Sequence, residues 1–127
     1  VEREVVTGTD DQELYRSQRY GNFSYAIPVA EGTYSLTLHF AEHWFGVEGE
    51  GGNGNGADQR VFDVYCNGTA LLRKFDIARE TGGALRALRK TFHGLRPNAQ
   101  GQLLLTFLPI KDYATLNALE LVDEKDN

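Results

Sequence analysis

From Thr33 to Phe40 the chain alternates without a break, Tyr34, Leu36, Leu38 and Phe40 standing against Thr33, Ser35, Thr37 and His39. A period of two puts each set on its own face of an extended chain, so the segment predicts a strand with one buried face. Glu31-Gly32 before it reads as a turn, and Ile27-Pro28-Val29 as an edge-compatible strand, because proline cannot donate to an inner ladder. Arg60 to Cys66 is rich in β-formers on both faces, the pattern of a central strand. Asn67-Gly68 is the strongest short hairpin signal and leads to a partner strand over Ala70 to Phe75. Gln102 to Leu108 and Leu116 to Val122 supply the late strands. One short helix is expected, capped by Asp76 and ended by Gly82-Gly83. Ala84 to Phe92 fits helix and strand equally.

Short strands parted by Gly, Asn and Pro, with almost no helix, predict an all-β, jelly-roll-like β-sandwich of two antiparallel sheets. The length of 127 residues suits a single domain over residues 1–127. No apolar run approaches the ~20 residues of a membrane span, and no signal peptide is visible. Methionine is absent, so residue 1 is expected to be the edge of an excised domain rather than a translation start. A net charge of −5 argues against nucleic acid and against an anionic membrane, since both reward clustered positive charge. The basic run Arg86-Ala87-Leu88-Arg89-Lys90 reads as a solvated face. The lone Cys66, set among apolar residues, excludes an internal disulfide and reads as a buried, inert thiol.

Two motifs match in letters only. His39-Phe40-Ala41-Glu42-His43 spells a zinc-peptidase string, whose chemistry needs both histidines on one helical face. On a strand they stand ~13 Å apart, too far to share an ion. Gly49-x-Gly51-x-x-Gly54 matches a dinucleotide fingerprint, but a strand rather than a helix follows it. It belongs to Gly46–Asp58, which holds six of the chain's fourteen glycines and is anomalously long for a loop in a compact domain. Asn22-Phe23-Ser24 and Asn67-Gly68-Thr69 are glycosylation sequons, the second better explained as a hairpin turn.

Among the carboxylates, Glu42, Asp63, Asp76, Asp112 and Glu120, no spacing picks out a hydrolytic pair. Asp63 is expected to be held by Arg60 or by a neighbouring strand. Glu42 continues the phase of Leu36, Leu38 and Phe40, which points it inward. A buried carboxylate needs a partner, so either the strand bulges there or Glu42 pins a neighbouring loop. Tyr15, Tyr20, Phe23 and Tyr25 cluster early, and Trp44-Phe45 stands where the best strand enters the glycine-rich segment. Rings at loop mouths near carboxylates and amides suit sugars, since a ring covers the C–H face of a pyranose while polar groups take its hydroxyls. The same rings would also serve as a simple lid on the end of the sandwich.

At these residues the chain resembles malectin-type domains. Leu14-Tyr15-Arg16-Ser17-Gln18-Arg19-Tyr20-Gly21, followed by Phe23 to Val29, is similar to the family's opening, and Gly32-Thr33-Tyr34 through Phe40-Ala41-Glu42 to its most recognisable stretch. Arg60 to Val64, Asn67-Gly68, Phe75-Asp76-Ile77 and Asn117 to Leu121 follow in the same order, so the likeness covers nearly the whole chain. The resemblance implies a non-catalytic module that binds glucose-type oligo- or polysaccharide in a cleft between loops. It places the binding aromatics on Tyr20, Trp44 and Phe45 and the binding carboxylate on Asp112, with Tyr113 or Asn117 assisting. It implies no cofactor, with room for a structural calcium ion. It further implies a secreted or secretory-lumen setting within a larger protein, such as one carrying a glycoside hydrolase. The family's usual first strand, with its own ligand aromatic, is expected to be missing, its place taken by residues 1–7 or by another chain. The glycine-rich segment is longer than the family's usual loop. The alternative is a structural or adhesion module that binds a protein partner or self-associates through an open sheet edge.

Overall fold

The computed structural model describes residues 19–43 and 56–126. Nine strands run through them: β1 Arg19–Gly21, β2 Phe23–Pro28, β3 Tyr34–Phe40, β4 Val61–Cys66, β5 Thr69–Phe75, β6 Leu88–Leu95, β7 Gln102–Lys111, β8 Ala114–Leu116 and β9 Ala118–Asp123. Helix α1, Ile77–Thr81, lies between β5 and β6, and a 3-10 turn, Glu124–Asp126, follows β9. All pairings are antiparallel. One sheet has the order β2-β7-β4-β5 and the other β6-β3-β9, while β1 and β8 form a separate two-stranded ribbon.

The two larger sheets pack face to face, as the alternation predicts. Tyr34, Leu36, Leu38 and Phe40 of β3 meet Phe62, Val64 and Cys66 of β4, Phe75 of β5, and Leu103, Leu105 and Phe107 of β7. Phe40, Phe62 and Phe75 form one aromatic knot with ring centroids 4.8 to 5.9 Å apart. Phe23 lies nearly parallel to Phe107 at 4.6 Å, so this member of the early aromatic cluster is core. Burial pushes the Cys66 thiol up, which keeps it protonated and unreactive.

Several expectations are sharpened. The central strand β4 buries only the Phe62 face; Val61, Asp63 and Tyr65 are half-buried on the outer face. Asp63 is not held by Arg60. It accepts hydrogen bonds from Tyr65 Oη at 2.8 Å and from the Lys74 amide at 2.8 Å. The segment Leu116 to Val122 is two strands, β8 and β9, broken at Asn117. Ala84 to Phe92 resolves as strand, entering β6 at Leu88, with Arg86 and Arg89 exposed and Lys90 paired to Glu80 at 2.9 Å. Pro28 is tolerated because β2 is the edge of its sheet.

Turn chemistry fixes the register. Asn67 and Gly68 take φ of 50° and 82°, the mirror-image turn whose twist matches paired strands. The Asn67 side chain does more than turn the chain. Its Oδ1 accepts from the Leu104 amide at 2.9 Å and from Asn98 Nδ2 at 3.3 Å, and its Nδ2 donates to the carbonyls of Arg96 at 3.0 Å and Gln102 at 3.4 Å. Helix α1 is capped as expected: Asp76 Oδ1 accepts from the Arg79 amide at 3.1 Å, and Gly82 ends the helix at φ 87°. No helix of the described residues is long and apolar enough to cross a membrane.

The end of β9 is fastened by Glu124, whose Oε2 accepts from the Gly94 amide and from Ser35 Oγ, each at 2.8 Å. These bonds favour the ionised form and hold the Glu124 carboxyl below its ordinary value of 4.5. A carboxylate depressed in the folded state adds stability above its unfolded pKa and loses it as pH falls through the folded one. Denaturant titrations are therefore expected to show stability falling as pH drops below about 4.5. Glu124→Gln should start lower at neutral pH and lose less on acidification.

Candidate functional site

Three segments converge at one end of the sandwich. Strand β1 pairs with β8 in the register Tyr20↔Thr115, which sets Tyr20 beside the turn from β7 into β8. That turn holds Asp112, at φ 55°, and Tyr113. The third segment is Arg60, at the mouth of β4. Tyr20, Arg60, Asp112 and Tyr113 line an open cleft of about 220 Å³. Tyr20 is 47% and Tyr113 60% exposed, unusually high for large rings.

A buried ion pair builds this end. Arg60 Nε donates to Glu42 Oε1 at 2.7 Å, with side-chain exposures of only 4% and 2%. The inward phase of Glu42 is real, and its role is to pin neighbouring segments after β3 has ended at Phe40. From the same guanidinium, Nη1 donates to the Tyr113 carbonyl at 2.6 Å. Arg60 Cζ also lies 5.6 Å from the Tyr20 ring centroid, within cation–π range. One side chain thus ties the end of β3 to the β7–β8 turn and backs the Tyr20 ring. Sequence reasoning missed Arg60 as a site residue. The signal was the in-phase Glu42, which required a buried cation, with Arg60 opening the next strand.

The other predicted residues divide. Asn117 is not among those lining the cleft. Its Oδ1 accepts from the Ala41 amide at 2.9 Å, its Nδ2 meets His43 Nε2 at 3.2 Å, and its backbone amide donates to the His39 carbonyl at 3.0 Å. Trp44 and Phe45 lie outside the described residues. His39 bonds Glu120 Oε1 at 2.5 Å, so the two histidines of the peptidase-like string serve different partners. Among the described residues, no group of three or more His, Cys, Asp or Glu side chains is placed to hold a metal ion.

The approach to Arg60 is also fastened. The Asp58 amide donates to Asp76 Oδ2 at 2.6 Å, and the Asp58 carboxylate pairs with Arg79. The hydrogen bond and charge of Arg79 hold the Asp58 carboxyl below its usual range. Lys111 Nζ lies 3.5 Å from the Asp58 carbonyl.

A family model for the malectin domain matches residues 1–119. The chain belongs to the malectin family. Malectin-A of Xenopus laevis is 38% identical over 76 residues, which are 58% of this chain and 24% of that protein. A solved Bacteroides uniformis β-glucuronidase shares the malectin-like sandwich at a TM-score of 0.77 and 20% identity, over 94% of this chain and 13% of the enzyme. The structure of the plant peptide RALF23 in complex with FER and LLG2 gives 0.73 and 23%, over 93% of this chain and 35% of the matched one. A carbohydrate-binding or extracellular-domain role goes with membership of the malectin family. The chain spans only a small part of each of these proteins, and its likeness to the enzyme is one of fold alone.

Removing one partner of a buried pair strands the other's charge. Glu42→Ala is expected to cost about 3–5 kcal/mol, read as a fall in the denaturant midpoint. Replacing both partners by apolar residues, Glu42→Leu with Arg60→Met, should cost clearly less than the two single changes summed.

Proposed function

We propose that this domain is a non-catalytic carbohydrate-binding module that takes a glucose-type oligo- or polysaccharide in the cleft of Tyr20, Arg60, Asp112 and Tyr113. The observation that carries the reading is the pair of exposed tyrosine rings set beside a carboxylate on a rigid, ion-paired floor. Tyr20 and Tyr113 offer flat apolar faces to the C–H side of a pyranose, and Asp112 accepts hydrogen bonds from its hydroxyls. Trp44 and Phe45, which lie outside the described residues, are the further stacking candidates that the family likeness offers. Asn117 supports the site from outside the cleft, by holding Ala41 and His43 on either side of Glu42.

Binding without hydrolysis is supported by where the carboxylates are used. Glu42 is paired with Arg60, Asp76 caps α1, Asp63 serves Tyr65 and Lys74, and Glu120 serves His39. Glycoside hydrolysis usually needs two carboxyl groups across one bond. Among the described residues, Asp112 is the one carboxylate lining this cleft. The domain works within a larger secreted or secretory-lumen protein, and no metal or cofactor takes part in binding.

A protein-binding reading has two observations in its favour. The outer face of β7 exposes Leu104, Leu108 and Ile110, and a peptide complex shares the fold. Light scattering with and without sugar separates the two, since a stable, sugar-indifferent dimer supports the rival.

Affinity for a shallow, open site is expected at ~10 µM to 1 mM, about −4 to −7 kcal/mol. A glycan array followed by calorimetry is the direct test. Trp44→Ala and Tyr113→Ala should each weaken binding about tenfold, and unchanged binding in both would overturn the site.

A further inference from the structure

The fold treats the asparagines of the two sequons oppositely. Asn67 spends both Nδ2 hydrogens on the carbonyls of Arg96 and Gln102, and its Oδ1 on the Leu104 amide. Asn22 stands exposed in the bend between β1 and β2, and its side chain makes no hydrogen bond to any described residue. Between this asparagine and the hydroxyl of its sequon is Phe23, which is buried and stacked on Phe107 at 4.6 Å. Burial alternates about that anchor, so Asn22 and Ser24 are both exposed, one on each side of it. Strand β1 ends at Gly21 against Ala114, so Asn22 and Tyr113 are the next residues beyond the same end of the ribbon. A group carried on Asn22 is therefore rooted at the margin of the cleft.

We infer that Asn22 is a modification site, the acceptor of an N-linked oligosaccharide that the folded domain carries at the margin of its cleft. The inference rests on the secretory setting proposed above. The donor class is an oligosaccharide joined through a diphosphate to a lipid. The Nδ2–C1 bond forms as the C1–O bond to the diphosphate breaks; the lipid diphosphate leaves with the electron pair, and the amide gives up one proton. The Ser24 hydroxyl completes the acceptor motif. The product keeps every hydrogen bond described for the domain, because the Asn22 side chain contributes to none, and a bulky, hydrophilic group suits a surface bend.

The test is expression of the whole chain behind a secretory leader in a eukaryotic cell. Its folded, secreted fraction is mapped by mass before and after treatment with a peptide N-glycosidase. The expected result is a single glycan on Asn22, the enzyme leaving aspartate at that position, with Asn67 unmodified. Asn22→Gln and Ser24→Ala should each abolish the glycan, while Ser24→Thr should keep it. The denaturant midpoint should be no lower with the glycan than after its enzymatic removal. A folded, secreted chain with Asn22 unmodified would overturn the inference, whatever the state of Asn67. So would a glycan on Asn22 that lowers the midpoint, since the site must cost the fold nothing. The added leader separates the site from the address: recovery of the natural protein from a compartment without such donors would overturn the secretory setting, and native modification with it, even where the test chain is glycosylated.

Discussion

The ion pair between Glu42 and Arg60 is the constraint on which the functional end of this domain depends. Two charges taken out of water are costly, and their attraction offsets that cost only when geometry and further hydrogen bonds are good. Here the pair has both, because the guanidinium reaches the Tyr113 carbonyl and lies against the Tyr20 ring. The interaction is better understood as a positional device than as a source of stability. It fixes how three chain segments meet, and so fixes the spacing of two exposed rings that no hydrophobic core holds in place.

The rest of the molecule divides labour around that junction. The aromatic knot of Phe40, Phe62 and Phe75 and the Phe23–Phe107 pair join the sheets through non-directional burial. Directional bonds gather at the ends, where strands stop and chain direction changes: Asp76 at the helix cap, Asn117 at the break between β8 and β9, Glu124 after β9. Such an arrangement leaves loop ends rigid without covering them. A shallow site needs this, because it has little burial with which to offset the ordering of its own side chains on binding.

How much of this the sequence discloses follows from the range of each interaction. Alternation over Tyr34 to Phe40 and the Asn67-Gly68 turn are local, and both appear in the structure as read. Arg60 to Cys66 misled slightly, since β-propensity on both faces does not say which face meets a second layer. The break at Asn117 was invisible, because it depends on an amide finding Ala41, 76 positions away. Of the two holders offered for Asp63, the neighbouring strand is the right one: Lys74 of β5 donates to it, while Arg60, near in sequence, turns to Glu42. Tyr20, Asp112 and Tyr113 were legible through family likeness, and the structure brings these three together with Arg60.

The side chain of Asn67 has a consequence for timing. Its amide is the centre of a small web joining the hairpin to Leu104, Asn98, Arg96 and Gln102, yet the same amide is the acceptor nitrogen of the sequon Asn67-Gly68-Thr69. A saccharide attached to Nδ2 removes one of its two hydrogens and sets a bulky group against the backbone it should clasp. Modification and folding therefore compete for one atom. In a compartment that attaches glycans to nascent chains, a hairpin that closes quickly protects its own nitrogen, and a slow one forfeits the clasp. The speed of a two-residue turn would then decide the covalent state of the finished domain.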